Sequence, residues 1–437
     1  MGESILETLV LVLFALALTI CIILDISIVY ALIFGYLLFC LYGLIRKFTI
    51  IQLIKMSING LVTVKNILIL FILIGMLTAL WRTSGTIPVI VSYSIKFLSP
   101  SIFILMTFIL NCIVSFLIGT AFGTAATMGV ITMTMATTMK LNPVLIGGAM
   151  LSGIFFGDRC SPVSTSSNLV AELTKTNLYD NIKEMMKTAL VPFIATCVVY
   201  YFMGRNIEVG SVMNYDVVGI FGNSFNLSYI ALIPALSILL LSFFKVKVKL
   251  TILISVVLAF ILSLTIQKMS VSYALETMIF GYTAPNAQLG EMLNGGGVLS
   301  MLNVFIIICI SSTYAGIFDG TGLLNDLKYK IKKLSKKTSM FNIILGTSII
   351  ASMIACNQTL AVLLTFQVLN DIQTDKRQFA IDIENTTIVI APLVPWSIAS
   401  AAPLTTIGAP TSSILFAVYL YFIPIWRFIL QSVLKKK

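Results

Sequence analysis

The stretch SIFILMTFILNCIVSFLIG, residues 101–119, holds nineteen positions without a charged side chain. A helix needs about 20 mainly apolar residues to cross the hydrocarbon core of a bilayer, so this stretch predicts a membrane-spanning helix. TLVLVLFALALTICIIL (8–24) and ISIVYALIFGYLLFCLYGLI (26–45) have the same character. Runs of this kind along the chain predict an all-α polytopic membrane protein of about 11–13 transmembrane segments, some of them short or broken.

The composition supports a membrane protein. Of 437 residues, 58% are hydrophobic and only 10% are charged, against about 25% charged in soluble proteins. The net charge of +11 comes from basic clusters, which the positive-inside rule places in the cytoplasm without a nucleic-acid partner. These clusters are Arg46, Lys47, Lys55 and Lys65; Lys245, Lys247 and Lys249; Lys328, Lys330, Lys332, Lys333, Lys336 and Lys337; and Lys435, Lys436 and Lys437. Two spans precede the first cluster, so we expect a cytoplasmic N-terminus and location in the cell (inner) membrane.

Several classes of chemistry lack the residues they need. The chain has no histidine, which excludes imidazole proton relays and most transition-metal sites. It also has no HExxH motif, no Ser–His pair and no Walker A motif. We therefore expect neither an enzyme nor an ATP-driven pump, and no cofactor beyond transported ions. A channel is a weaker alternative, because duplicated broken helices suit alternating access better.

A pattern of apolar and polar residues occurs twice along the chain. In three successive places, the second occurrence follows the first by about 237, 235 and 226 positions. This order predicts two homologous halves. The paired stretches are LIGMLTALWRTSGTIPVIV (73–91) with ISSTYAGIFDGTGLLNDL (310–327), IGTAFGTAATMGV (118–130) with MIACNQTLAVLLT (353–365), and the surroundings of Asp158 with those of Glu384. The predicted organisation is two N-terminal transmembrane helices (1–59), a first repeat (60–205), a connecting segment with two helices and an exposed polar loop, NAQLGEMLNGGGV (206–299), and a second repeat (300–437).

Both predicted repeats contain a segment whose glycines or polar residues disfavour a straight helix. GTAFGTAATMG (119–129) has three glycines and three threonines, and IACNQTL (354–360) has three polar residues in a row. Irregular backbone at membrane depth persists only where protein or a water-filled cavity satisfies it. Paired broken segments of this kind indicate a transporter binding site.

Asp158 is the main candidate for that site. It lies in GDRCSPVSTSSNLVAE (157–172) and follows eleven uncharged residues. Because a carboxylate in lipid is costly, it should face the protein interior or water, as a cation or proton site would. The alternative is a structural ion pair with Arg159 or a helix-end cap. Glu384, just before a segment broken by two prolines, is a second carrier or a structural partner.

Neutral oxygen donors surround both carboxylates in the sequence. Hard cations such as Na⁺ prefer oxygen ligands, so we expect Na⁺ to bind at Asp158. The alternative is that these side chains bond back to their own helices or pack between helices. The candidate ion- or proton-binding residues, besides the two carboxylates, are Thr120, Thr124, Ser161, Ser164, Thr165, Asn168, Asn357, Thr359, Asn385 and Thr386.

Such a site can couple two fluxes. Desolvation favours the protonated form of a carboxylate, whereas bound Na⁺ favours the charged form, so proton and cation compete for it. If a loaded site crosses the membrane and an empty charged site does not, the competition produces antiport.

These residues resemble the NhaC-type sodium/proton antiporter family, within the group of inverted-repeat ion transporters. The resemblance implies two inverted repeats, broken or re-entrant helices near the midplane, and exchange of Na⁺ (or Li⁺ or K⁺) for H⁺ by alternating access in the lipid bilayer. This chain departs from the family pattern at Thr165 and Asn385, where family members often carry a second acidic residue. We therefore expect fewer protons to be moved per transport cycle. The matching stretches are LIGMLTALWRTSGTIP, GTAFGTAATMG, GAMLSGIFFGDRCSPVSTSSNLVA and IENTTIVIAPLVPWSI.

Some members of that family exchange organic acids, so a second hypothesis about the function stays open. The protein would then carry a small organic solute (an organic acid, amino acid or drug), driven by Na⁺ or H⁺. Arg159 would bind the solute carboxylate, since a guanidinium binds carboxylates bidentately. Without such a substrate, Arg159 is expected to pair with Asp158 or Glu384. The sequence also leaves open whether the chain forms a homodimer.

Overall fold

The computed structural model describes residues 2–24, 26–94, 99–205, 217–244, 246–323 and 339–434. Within these ranges the chain is helical, and the only extended pairing is an isolated bridge between Tyr282 and Gly295. The predicted all-α class is confirmed. Lys245 and the basic clusters at 328–337 and 435–437 lie outside the described residues.

The helices are numbered here in chain order. The first half of the chain contains α1 (Gly2–Ile23), α2 (Ile28–Ile45), α3 (Ile50–Thr83), α4 (Thr86–Ser94), α5 (Pro100–Ile118), α6 (Ala121–Thr124), α7 (Val130–Thr138), α8 (Pro143–Cys160), α9 (Thr165–Thr174) and α10 (Leu178–Arg205). The rest contains α11 (Val217–Ser224), α12 (Ile233–Phe243), α13 (Val248–Thr265), α14 (Val271–Phe280), α15 (Ala287–Leu293), α16 (Leu302–Thr321), α17 (Met340–Ala355), α18 (Gln358–Leu369), α19 (Lys376–Asn385), α20 (Thr387–Ile390), α21 (Ile398–Ile407) and α22 (Val418–Leu434). A π-helical turn, Ala125–Gly129, joins α6 to α7.

Six described helices are long and apolar enough to cross a membrane, or up to eight spans if each of two bent pairs is one span. The bent pairs, Val218–Ser224 with Tyr229–Phe243 and Lys376–Leu393 with Ile398–Ile407, turn by 97° and 54°. Five further apolar helices are 10–17 residues long. The broken helices are therefore confirmed. The number of full spans is below the 11–13 counted from apolar runs, because several runs form helices too short to cross alone.

The third helix is longer than a bilayer requires. It spans 34 residues, and its N-terminus is closed by a capping box between Thr49 and Gln52. Lys55 and Lys65, which belong to the first basic cluster, lie inside α3. At 1.5 Å per residue, this helix is about 50 Å long, so it holds both basic residues and a full apolar span.

Two helix breaks have the same backbone geometry. After α5, Gly119 is left-handed (φ 73°) and Thr120 is extended (φ −141°, ψ 136°). After α17, Cys356 is left-handed (φ 52°) and Asn357 is extended (φ −145°, ψ 130°). The second break follows the first by 237 positions (356 − 119). This agreement supports the predicted pair of repeats, whose inversion remains a prediction.

The connecting segment is more ordered than predicted. Beside the two expected helices, α12 and α13, it contains α11, α14 and α15. The stretch expected as an exposed loop forms α15, whose Leu289 and Leu293 are fully buried. The backbone of the following Gly296 packs on Ala79, and Gly297 N donates to Gly75 O at 2.9 Å. Glycines allow this close contact with α3 because they lack a Cβ atom.

Apolar side chains form separate clusters. The largest contains residues of α3, α5, α7 and α8, among them Phe108, Leu151 and Ile154. A second joins α1, α2 and α16 to α17 and α18. A third joins α9, α17, α18 and α19, and includes Val170 and Val362. Helices α8 and α18, which carry the candidate site, therefore belong to different clusters.

Candidate functional site

Asp158 lies in the last turn of α8, where the helix stops before a short turn and α9 begins. Gly157 packs directly on the backbone of Ser115 in α5, so a larger residue would overlap it. Ser164 begins α9, because its hydroxyl accepts from Ser166 N and Ser167 N at 3.1 and 3.2 Å. The same hydroxyl donates to Asp158 O. The turn thereby fixes the first residues of α9 over the carboxylate.

The carboxylate of Asp158 is held by neutral donors. Asp158 as a whole is only 4% exposed to solvent. Oδ2 accepts from Ser166 Oγ and from Gln358 Nε2, each at 3.0 Å. Among the described residues, Asp158 has no ion-pair partner within 4.0 Å. A buried negative charge without a counter-ion is suited to bind a proton or a cation.

A cavity of about 620 Å³ opens beside this carboxylate. Of the described residues that line it, Asp158 is the one that is acidic. Side chains with neutral oxygen atoms also line the cavity, and they come from both helix breaks and from α9. Two lysines at the start of α13 line it as well. The polar and charged lining residues are Asn66, Thr120, Asp158, Thr165, Ser166, Ser242, Lys247, Lys249, Gln358 and Thr359.

Glu384 belongs to a different cluster, built around Arg159. Arg159 is fully buried, and its Nη2 atom donates to Asn385 Oδ1 at 2.5 Å and to Thr188 Oγ1 at 3.0 Å. The guanidinium also lies 3.4 Å from the hydroxyl of Tyr419. In the parts of the chain that the structure describes, no ion pair within 4.0 Å joins Arg159 to Asp158 or Glu384. The expected direct pairing is therefore wrong: the neighbouring Asn385 accepts the hydrogen bond instead.

The carboxylate of Glu384 is 1% exposed, and its Oε2 atom has no hydrogen-bond partner in the structure. Its side chain contacts Ser167, and its charge interacts with that of Arg159. Asn385 Nδ2 and Arg159 Nε also lack partners. Opposite charges thus compensate each other inside this cluster, and none of its three members lines the cavity beside Asp158.

The structure divides the predicted neutral ligands into two groups. Thr120, Thr165 and Thr359 line the cavity beside Asp158, although Thr120 also caps α6 by accepting from Gly123 N at 3.1 Å. Asn357 caps α18 and lines a neighbouring cavity of about 580 Å³.

The other predicted ligands are bonded within the fold. They are Thr124 (to Thr120 O, 2.9 Å), Ser161 (to Phe116 O, 2.7 Å), Ser164 (the α9 cap), Asn168 (to Ser164 O, 2.6 Å), Asn385 (from Arg159) and Thr386 (to Asp382 O, 2.7 Å). For these six, the backbone-bonding or packing alternative describes the structure better.

Gln358 and Ser166, the two side chains that donate to the Asp158 carboxylate, are not among the candidate ligands named from the sequence, although Ser166 lies in the same row of hydroxyls as Ser164 and Thr165. Gln358 lies between the selected Asn357 and Thr359, and its position as the first residue of a helix after a break was the available signal. Asp382, two residues before Glu384, was not singled out by the sequence analysis. It is buried, and its Oδ1 atom pairs with Arg427 Nε at 2.8 Å.

Comparison with known proteins yields a consistent set of similarities. A family model described as "Na+/H+ antiporter family" matches residues 153–433. An "Uncharacterized Na(+)/H(+) antiporter" of Haemophilus influenzae is 28% identical over 80% of this chain and 78% of its own length. The malate-2H⁺/Na⁺-lactate antiporter of Bacillus subtilis is 26% identical over 94% and 90%. The Na⁺/H⁺ antiporter NhaC of Alkalihalophilus pseudofirmus is 25% identical over 84% and 82%.

Proposed function

This chain belongs to the Na⁺/H⁺ antiporter family, and we propose that it exchanges Na⁺, or Li⁺ or K⁺, for H⁺ by alternating access. The family consists of membrane transporters, so the protein is not an enzyme. One observation carries the proposal: in the described part of the chain, Asp158 is buried, has only neutral hydrogen-bond partners and is the one acidic residue lining a cavity of about 620 Å³. A single carboxylate there gives H⁺ and a cation the same binding position.

The exchange chemistry follows from that competition. The proton binds a carboxylate oxygen of Asp158 and needs no other ligand. Na⁺ needs several oxygens, and the hydroxyls of Thr120, Thr165, Ser166 and Thr359 on the cavity wall are the neutral oxygen ligands available beside the carboxylate. Cation binding thus expels the proton, and proton binding expels the cation.

Glu384 has a structural role in this proposal. Its negative charge offsets the buried Arg159, and it does not line the cavity. Because one titratable carboxylate remains at the cavity, the exchange is one cation for one proton. The neutral Thr165 and Asn385 fit this stoichiometry, since neither adds a proton-binding group.

The basic residues bear on the location and orientation of the protein in the membrane. We place it in the cell membrane with a cytoplasmic N-terminus, on the distribution of Arg46, Lys47 and the other basic residues. The two predicted repeats would move relative to each other around Asp158, as in other carriers with internal repeats.

Transport of a small organic anion is the second candidate. Lys247 and Lys249 line the same cavity as Asp158, and its volume exceeds the needs of one cation. A relative covering most of the chain is named a malate-2H⁺/Na⁺-lactate antiporter. In this reading the lysines bind the anion. Arg159 is not suited to that role, because it is buried among Asn385, Thr188 and Tyr419.

The test uses purified protein in liposomes with a trapped pH dye and an acidic interior. Na⁺, Li⁺, K⁺ or choline is added outside. Wild type should alkalinise the interior with an inorganic cation but not with choline, and Asp158→Asn should not respond. Glu172→Gln is the matched control, because Glu172 is an exposed carboxylate on the adjacent α9. If no inorganic cation acts on correctly inserted wild type, the proposal fails, and malate and lactate are tested next.

A further inference from the structure

Gln358 connects two parts of the molecule that share little apolar packing. Its amide reaches Asp158 at the end of α8, whose side chains belong to the largest hydrophobic cluster. Gln358 itself begins α18, whose apolar residues belong to the two other clusters. Among the described residues, no side chain of α18 is part of the largest cluster. The polar contact therefore lies at a seam between separately packed helices.

The orientation of this amide is set by its neighbours. Nε2 lies 3.0 Å from Asp158 Oδ2 and 3.2 Å from Ile388 O, and both of these are acceptors. Oε1 lies 3.4 Å from the hydroxyl of Ser166, which donates to Asp158. Turning the amide over would place its oxygen against two acceptors. The NH₂ group therefore faces the carboxylate while that carboxylate is empty and charged.

We propose that Gln358 is a positioning residue that prevents the empty, charged site from changing its side of access. This inference rests on the proposed cation/proton exchange. A donor bonds more strongly to a charged carboxylate than to a neutral one, so the contact across the seam is strongest when Asp158 holds neither ion. Binding of H⁺ or Na⁺ neutralises the carboxylate and weakens the contact, which frees α18 to move relative to α8.

The consequence concerns coupling rather than binding alone. An antiporter stays coupled only if its empty form does not cross. If the empty form of this protein returned, each cycle would carry one positive charge of Na⁺ without a proton, and that flux would respond to the membrane potential. Loss of the Gln358 amide should therefore convert part of the exchange into a cation leak.

Gln358→Met is the first variant, because methionine has a similar length and no N–H donor. Liposomes loaded with radioactive Na⁺ are placed in medium of equal pH that contains neither Na⁺ nor K⁺, and an outward gradient of the permeant anion thiocyanate imposes an interior-positive potential. Potential-driven Na⁺ efflux should exceed that of wild type by at least about fivefold, since a hydrogen bond to a charged group is lost. The ratio of protons to Na⁺ moved should fall in the same preparation. Gln358→Ala is the second variant if the methionine protein does not fold.

Ser166→Ala is the matched control. Ser166 donates to the same Oδ2 atom at the same 3.0 Å. It lies on the first turn of α9, which packs against both sides of the seam, but Ser164 and Ser167 fix that turn to the backbone of Asp158 and Arg159. Its loss should change the Na⁺ concentration for half-maximal flux, while the proton-to-Na⁺ ratio stays at the wild-type value.

The outcomes separate this inference from the proposed function. A larger leak and a lower ratio in Gln358→Met, with the ratio retained in Ser166→Ala, support it. A parallel fall of both fluxes in Gln358→Met at the wild-type ratio overturns it and leaves the exchange function intact. Equal leaks in both variants also overturn it, because the effect would then come from the carboxylate alone. No cation-dependent proton movement in wild type overturns the exchange function itself.

Discussion

Asp158 and Glu384 occupy corresponding places in the two predicted repeats but have different surroundings in the structure. Both are almost fully buried and lie beside helix breaks. Asp158 accepts from the neutral Ser166 and Gln358 and borders a cavity. Glu384 lies with the buried Arg159 and does not border that cavity. The difference shows that burial alone does not identify an exchange site: the nearby counter-charge and the access to a cavity decide it.

The largest expected effect is on transport. Asp158→Asn should abolish cation-dependent proton movement, by at least about 100-fold, because an amide neither binds a proton at working pH nor carries the charge that holds Na⁺. Its neutral side chain should leave folding intact, since the buried position then holds no charge. Dye-based exchange and thermal unfolding, measured on one preparation, check both parts. Residual exchange near the wild-type rate would move the carrier role away from Asp158.

Replacing Glu384 should reduce stability and leave the transport ratio unchanged. Glu384→Gln leaves the buried charge of Arg159 without the opposite charge that offsets it, although no direct ion pair joins the two side chains. An uncompensated buried charge destabilises the folded state. We expect a large loss of thermal stability, while protein that remains folded keeps its proton-to-cation ratio.

The double variant Glu384→Gln/Arg159→Gln removes both charges and should regain part of the lost stability, as a double-mutant cycle would reveal. Additive losses of stability would show that the two charges do not compensate each other. A changed transport ratio in Glu384→Gln would make Glu384 a carrier after all.

Two substitutions that add a carboxylate sharpen the comparison. Thr165→Asp places a second acid on the cavity wall, whereas Asn385→Asp places one against Arg159, away from it. The first should make exchange depend on membrane potential, with a rate change of about two- to fivefold across 60 mV, because protons and cations no longer balance one to one. The second should remain insensitive to valinomycin. Potential dependence in both would contradict the separation of the two clusters.

The smallest effect is expected at the lysines. Lys247 borders the cavity and repels cations that approach Asp158. Lys247→Gln should lower the Na⁺ concentration for half-maximal exchange by about twofold at low ionic strength, and the difference should shrink in 0.5 M choline chloride, because salt screens exposed charges. If the second candidate function holds instead, the same variant weakens malate-dependent flux.

Sequence patterns identified the helical class, the broken segments and Asp158, because each has a local cause. Apolar runs such as residues 101–119 define helices, and Gly119 with Thr120 breaks one of them. The roles of Thr124 and Asn168 could not be predicted, since a hydroxyl or amide in a helix bonds to its own backbone or to a ligand with similar ease. Here both bond to their own helices.

The sequence by itself determined that this is a helical membrane protein with an acidic residue in apolar surroundings. Only the tertiary structure decided that Gln358, 200 positions away, donates to Asp158 and that Asn385 rather than a carboxylate accepts from Arg159. The physical reason is the distance along the chain over which each interaction acts. Hydrophobic length and helix breaks act within a few residues, whereas a hydrogen bond across a seam depends on how two separate hydrophobic clusters pack.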